Sequence, residues 1–195
     1  MQIETLRTGD VTVWIADAAP TEKPLPINKQ RETIGLLLKA AGLQPTGLSH
    51  TPEGKPFLTA ANGLHISITH TQSHIAIALC AYPVGIDIEA IGPRTRRVLP
   101  RITEAKERAL LQERSDEAEA TRVWCAKEAV FKLYGTQARA MTDICLTAFN
   151  QDTAESAAPY AAKISFLERR GHILAVATEI RQGLSESRPC PTPNL

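Results

Sequence analysis

Two β-rich runs separated by two residues constrain this chain most. Residues 64–71 and 74–81 are dense in Ile, Ala, Thr and His, and only Gln72 and Ser73 stand between them. A crossover to a parallel neighbour needs a dozen or more residues, so the two runs must pair as an antiparallel hairpin. A third run, residues 10–16 (DVTVWIA), alternates β-branched and aromatic residues and predicts a strand. Between them, residues 27–41 place Ile34, Leu37, Leu38 and Ala41 at helical spacing, with Gly42 as the stop. Residues 19–26 hold three prolines and predict a loop. Glu53-Gly54-Lys55-Pro56 reads as a turn, and residues 84–90 as a further short strand.

The second half predicts helices at 103–112, capped by Thr103, and at 115–134, capped by Ser115 and stopped by Gly135. Strands are expected at 144–149, 161–168 and 172–179, with a turn at 168–171. From Arg181 onward the sequence is polar and Pro-rich and reads as a disordered tail. Strand, helix, strands, then helices and strands is an α+β order. At 195 residues and 43% hydrophobic content, the chain can bury one core or two small fused ones.

Charge and cysteines narrow the function classes. Lys plus Arg number 22 against 21 Asp plus Glu, so nothing suggests nucleic acid or a membrane surface as the main partner. No run of apolar residues is long enough to span a bilayer, and MQIETLRTGD has neither the basic nor the apolar region of a signal peptide. Cys80, Cys125, Cys145 and Cys190 are scattered, which fits reduced thiols in a cytoplasmic protein better than disulfides or a zinc site.

Four local patterns could carry chemistry. Asp87 and Glu89 stand at i and i+2 in VGIDIEA, so on a strand they share one face while Ile86 and Ile88 take the other. Two carboxylates side by side call for a cation, and hard oxygens of this kind suit Mg²⁺. Trp124, Glu128 and Lys132 are four apart and form one helix stripe. Thr69 and His70 end a strand at the hairpin, with His74 across the turn, and Lys55-Pro56 follow Gly54. Hydroxyl, imidazole and ammonium donors are what phosphate oxygens take. Each pattern also has a plain structural reading: a half-buried strand, an i,i+4 surface pair, a polar hairpin tip, a common turn. Lys29, Arg31, Arg94, Arg96, Arg97 and Arg101 read as a solvated basic rim. No G-x-x-x-x-G-K-[ST] loop occurs, which removes the commonest nucleotide-hydrolase alternative.

The order of the patterns is more specific than any one of them. Gly54-Lys55-Pro56, then Thr69-His70-Thr71, then Gly85-Ile86-Asp87-Ile88-Glu89, then Trp124-Cys125-Ala126-Lys127-Glu128-Ala129-Val130-Phe131-Lys132 resembles the surfactin-type 4'-phosphopantetheinyl transferases, over about residues 10–180. The resemblance implies two similar lobes related by a pseudo-twofold axis, each an antiparallel sheet packed on a long helix. It implies an N-terminal lobe at 1–84, a C-terminal lobe at 85–181 that carries the metal site, and a tail at 182–195. It makes Asp87, Glu89 and Glu128 the Mg²⁺ ligands, and Glu128 and Lys132 the catalytic pair. Lys55, Pro56, Thr69, His70 and Lys132 become contacts to coenzyme A, with Lys29 and Arg31 in a further phosphate-contacting stretch. The family usually has serine where Thr69 stands, and the hydroxyl survives that change. The implied reaction moves phosphopantetheine from coenzyme A to a serine of an acyl or peptidyl carrier protein, catalysed by a monomer. The alternative is a catalytically idle homologue that binds coenzyme A or a carrier protein.

Overall fold

The computed structural model describes residues 1–17, 25–59, 63–110 and 116–180. The expected tail, most of the Pro-rich loop, Gln112 and Ser115 lie outside the described residues. The chain divides at Val84 and Gly85 into two compact units.

The first unit opens with β1 (Ile3–Thr8), which the sequence reading did not anticipate, and β2 (Val11–Asp17). They pair antiparallel across Gly9, whose φ of 54° suits glycine in a tight turn. Helix α1 (Ile27–Ala40) follows and ends where expected: Gly42 takes φ 75°, and Leu43 N donates to Leu38 O at 2.8 Å. A small two-stranded sheet, β3 (Leu48–His50) with β4 (Pro56–Leu58), precedes the hairpin of β5 (His65–His70) and β6 (His74–Cys80). The hairpin is antiparallel, with Thr69 opposite Ala76 and His70 opposite Ile75. Its turn is held by Thr71, whose hydroxyl accepts from the backbone N–H of Ser73 and His74. The four-stranded sheet runs β1-β2-β6-β5. Leu37 and Leu38 of α1 pack on it against Ala16, Ile75, Ile77 and Leu79.

In the second unit the sheet runs in the order β7 (Val84–Ala90), β11 (His172–Glu179), β10 (Ala162–Arg169), β9 (Thr153–Ser156), β8 (Leu146–Phe149). The β10–β11 turn carries positive φ at both Arg170 and Gly171, the two-residue form that matches strand twist. Helix α4 (Glu117–Tyr134) packs on β11 and β10, burying Val123, Ala126, Ala129, Val130 and Leu133 against Ile164, Ile173 and Ala175. Gly135, at φ 60°, ends it as expected.

Two helix starts differ from expectation. Helix α2 (Pro93–Ile102) occupies the stretch read as a basic rim; Pro93 fits the first turn, where a missing N–H costs nothing, and Pro100 falls in the last turn. Thr103 therefore closes a helix instead of opening one: its hydroxyl donates to Leu99 O at 2.7 Å, and α3 (Ala105–Leu110) begins after it. The cap of α4 is Asp116, whose carboxylate accepts from Glu119 N at 2.8 Å.

A fully buried ion pair ties this unit together. Lys127 Nζ lies 2.8 Å from the Glu107 carboxylate and also donates to Met141 O and Ile144 O. Glu107 accepts in turn from Glu104 N and Leu146 N, so α3, α4 and β8 converge on one charge pair. No helix among the described residues is long and apolar enough to cross a membrane.

Candidate active site

Gly85 decides how near β7 comes to α4. A Cβ built on it would lie 1.9 Å from Ala129 O and 2.7 Å from Leu133 N, so strand and helix touch backbone to backbone. Only glycine permits that approach. Two residues further along β7, Asp87 faces α4 chemistry at short range. Ile86 and Ile88 are buried beside it as expected; Asp87 itself is only 7% exposed, and Glu89 is half-buried at the strand's end.

On α4 the expected stripe is visible in the burial. Between Ala120 and Leu133 nearly every residue is buried, and the half-buried exceptions are Trp124, Glu128, Phe131 and Lys132. Lys132 does not act as a mere surface partner of Glu128. Its Nζ donates to Asp87 Oδ1 at 2.8 Å and to Ile86 O at 3.0 Å, bridging helix to strand. Glu128 is held above the usual carboxylate range, first by burial and then by the charges of Asp87 and Glu89; Lys132 and Arg94 oppose the shift. A lysine neighbour alone would push Glu128 down, and here loss of water outweighs it. Burial likewise pushes the Cys125 thiol well up, with the Asp87 charge adding to it, so Cys125 is a core residue and no nucleophile. Cys80 is also buried and Cys145 half-buried.

Arg94 is the residue sequence reasoning missed. From the start of α2 its Nη1 donates to Glu89 Oε2 at 3.4 Å, and its guanidinium carbon stands 6.0 Å from the Trp124 ring centroid. In sequence it was one of four arginines in PRTRRVLPRI, and nothing there separates it from Arg96, Arg97 or Arg101.

The donor set can be tested against Mg²⁺. Three carboxylates lie within electrostatic reach of one another, all are hard oxygen donors, and two of them already engage cationic side chains. Among the described residues no three His, Cys, Asp or Glu side chains close into a ligand group as they stand. By chemistry Asp87, Glu89 and Glu128 are hard oxygen donors of the kind a divalent cation takes, while in this structure Asp87 and Glu89 are engaged by Lys132 and Arg94.

The remaining expected residues lie in the first unit. Lys55 and Pro56 line a cavity of about 240 Å³ with Thr51, Phe57, His65 and Ile66. Thr69 is buried and His70 exposed, as neighbours on a strand must point to opposite faces. His74 is also buried and lies 3.3 Å from Asp17 Oδ1, its strand partner. Lys29 pairs with Glu32 at 3.0 Å on the exposed face of α1, and Arg31 is exposed beside it.

The stretch that holds β7 and α4 is similar to known proteins. A family model for the 4'-phosphopantetheinyl transferase superfamily matches residues 83–177. That stretch is a 4'-phosphopantetheinyl transferase superfamily domain. It contains Asp87, Glu89, Arg94, Trp124, Glu128 and Lys132; Lys55, Pro56, Thr69 and His70 precede it. The chain is also similar to a 4'-phosphopantetheinyl transferase of Bacillus subtilis, 32% identical over 102 residues. The match covers 50% of this chain and 46% of that relative, so it reaches less than half of the relative's length.

Proposed function

We propose that the chain transfers the 4'-phosphopantetheine group of coenzyme A to a serine of an apo-carrier protein and releases 3',5'-ADP. The observation that carries this reading is the convergence of Asp87 and Lys132, with Glu89 and Glu128 in electrostatic reach, on the strand–helix contact that Gly85 allows. The serine Oγ attacks the β-phosphorus of coenzyme A, the bond to the adenosine-side phosphate oxygen breaks, and 3',5'-ADP departs. Asp87, Glu89 and Glu128 would hold Mg²⁺, which when bound supplies charge stabilisation for the transferring phosphoryl group. Lys132, fixed between β7 and α4, offers an ammonium to the phosphate oxygens. Glu128, made more basic by burial, accepts the serine proton at its carboxylate. Phosphoryl transfer asks mainly for positioning and charge, which these residues provide.

Lys55 and Pro56, which line a cavity of the first unit, are proposed contacts to the nucleotide end of coenzyme A, as are Thr69 and His70, which do not line it and point to opposite faces of their strand. The two-lobe reading has support in topology. In each unit a strand leads to helices and then a hairpin, whose second strand inserts between its own partner and that first strand: β2-β6-β5 and β7-β11-β10. A chain that carries both halves needs no partner copy, so the active form is a monomer.

Incubation with coenzyme A, MgCl₂ and an apo-carrier protein, followed by mass spectrometry of the carrier, tests the reading. Gain of one phosphopantetheine supports it. Coenzyme A binding without transfer would leave an idle binding homologue, and neither binding nor transfer would sink the reading altogether.

A further inference from the structure

The site contains two cations, and they are held very differently. Lys132 makes two short contacts, to Asp87 Oδ1 and Ile86 O, and its side chain is 29% exposed. Arg94 makes one long contact, 3.4 Å to Glu89 Oε2, and its side chain is 72% exposed. It rests over the indole of Trp124 at 6.0 Å, at the outer reach of a cation–π contact. So Lys132 is anchored, whereas Arg94 is a charge whose present contacts cost little to break.

A divalent cation on Glu89 would compete for the oxygen that Arg94 now engages. The displaced guanidinium would remain beside the site, tethered at the start of α2, with a planar fork of donors suited to phosphate oxygens. Resting on the transferase reading above, we infer that Arg94 is a mobile anion-binding residue of this site: it neutralises Glu89 until a divalent cation takes that carboxylate, then contacts the phosphate oxygens of the polyanionic substrate. Trp124 is the surface it leaves. Lys132 is the fixed phosphate contact and Arg94 the recruited one, which makes metal binding and substrate binding favour each other.

The chain has two tryptophans, so Trp14→Phe leaves Trp124 as the reporter. Emission is followed during titration with MgCl₂ and then with coenzyme A, and calorimetry gives both affinities; circular dichroism verifies folding of each variant. The expected result is a change in Trp124 emission on Mg²⁺ binding that Arg94→Ala abolishes. Arg94→Ala should also weaken coenzyme A binding about 10- to 100-fold, as loss of a charge-assisted phosphate contact does. Mg²⁺ alone should bind this variant more tightly, because its competitor for Glu89 is gone. Arg94→Lys keeps charge without the fork and should recover part of the affinity. Arg97→Ala, exposed on the same helix, controls for the general field and should change affinity by less than about threefold. Equal coenzyme A affinity and an equal emission change in Arg94→Ala would overturn the inference alone. So would equal losses in Arg94→Ala and Arg97→Ala. A wild-type chain that binds no coenzyme A in the presence of Mg²⁺ would overturn the inference and the transferase reading together.

Discussion

Removal of Glu107 isolates a buried ammonium. In Glu107→Ala, Lys127 keeps two carbonyl partners, Met141 O and Ile144 O, and loses the carboxylate it donates to. Both side chains are at most 1% exposed, so water cannot compensate without opening the contact between α3, α4 and β8. Breaking such a pair from one side costs about 3–5 kcal/mol. Two backbone donors, Glu104 N and Leu146 N, lose their acceptor as well, which places the expected loss toward the upper end. Against a total stability of roughly 5–15 kcal/mol, that is a large share. Urea unfolding followed by circular dichroism should show the midpoint falling with an unchanged slope. The pH dependence supplies a second check. Burial already lowers the pKa of Lys127 below its ordinary value, and Glu107 opposes this; without Glu107 it falls further. Between the lowered folded pKa and the ordinary lysine value the unfolded chain binds more protons than the folded one, so stability rises with pH there. The deficit of Glu107→Ala should therefore shrink as the pH is raised through that window. The double variant Glu107→Gln with Lys127→Met, which removes both charges, should be more stable than Glu107→Ala. A Glu107→Ala midpoint within about 1 kcal/mol of wild type would refute the account of a buried, interdependent pair.

Asp87→Ala should fold by circular dichroism and load no carrier, since it removes a carboxylate and frees Lys132 from its short contact; loading near the wild-type rate would take Asp87 out of the site. Lys132→Ala should weaken coenzyme A binding by about 1.5–3 kcal/mol and lower kcat as well, measured by steady-state loading; an unchanged kcat with raised KM would confine it to ground-state binding. Gly85→Ala should cost at least about 1–3 kcal/mol in urea unfolding, because its Cβ meets backbone atoms that cannot rotate away. Glu128→Gln should cut single-turnover loading far more than coenzyme A affinity if Glu128 takes the serine proton, and near-normal turnover would exclude it as base.

Most of the fold was legible where hydrophobic period and glycine stops coincided. The β5–β6 hairpin, α1 with Gly42 and α4 with Gly135 all followed from local pattern. The misses share a physical cause. β1 (IETLRT) and β9 (TAES) are short sheet segments with little apolar alternation, and pairing with a neighbour makes them strands. α2 hides behind two prolines and four arginines; Pro93 is compatible with a first turn, and the helix is fixed by packing on α4. Thr103 shows how a residue type misleads, since threonine caps a helix start or closes an end depending on which backbone group is free.

The site divides along the same line between local pattern and three-dimensional contact. Strand and helix periods put Asp87 with Glu89 and Glu128 with Lys132 on shared faces, and the resemblance carried by the order of the motifs, not the periods alone, gave them their expected roles. Gly85 reads in sequence as the start of a strand, and only the helix lying against it shows why no side chain fits. Arg94 is invisible for the opposite reason: its neighbours Glu89 and Trp124 come from two other elements. Glu128 illustrates the electrostatic side. Sequence gives it a lysine four residues on, which argues for a depressed pKa and a poor base. The fold sends that lysine to Asp87, withdraws water from Glu128 and sets two carboxylate charges near it. The net effect raises its proton affinity, and a metal ion would lower it again. If Glu128 takes the serine proton beside a divalent cation, burial and the neighbouring carboxylates offset part of what the cation takes away.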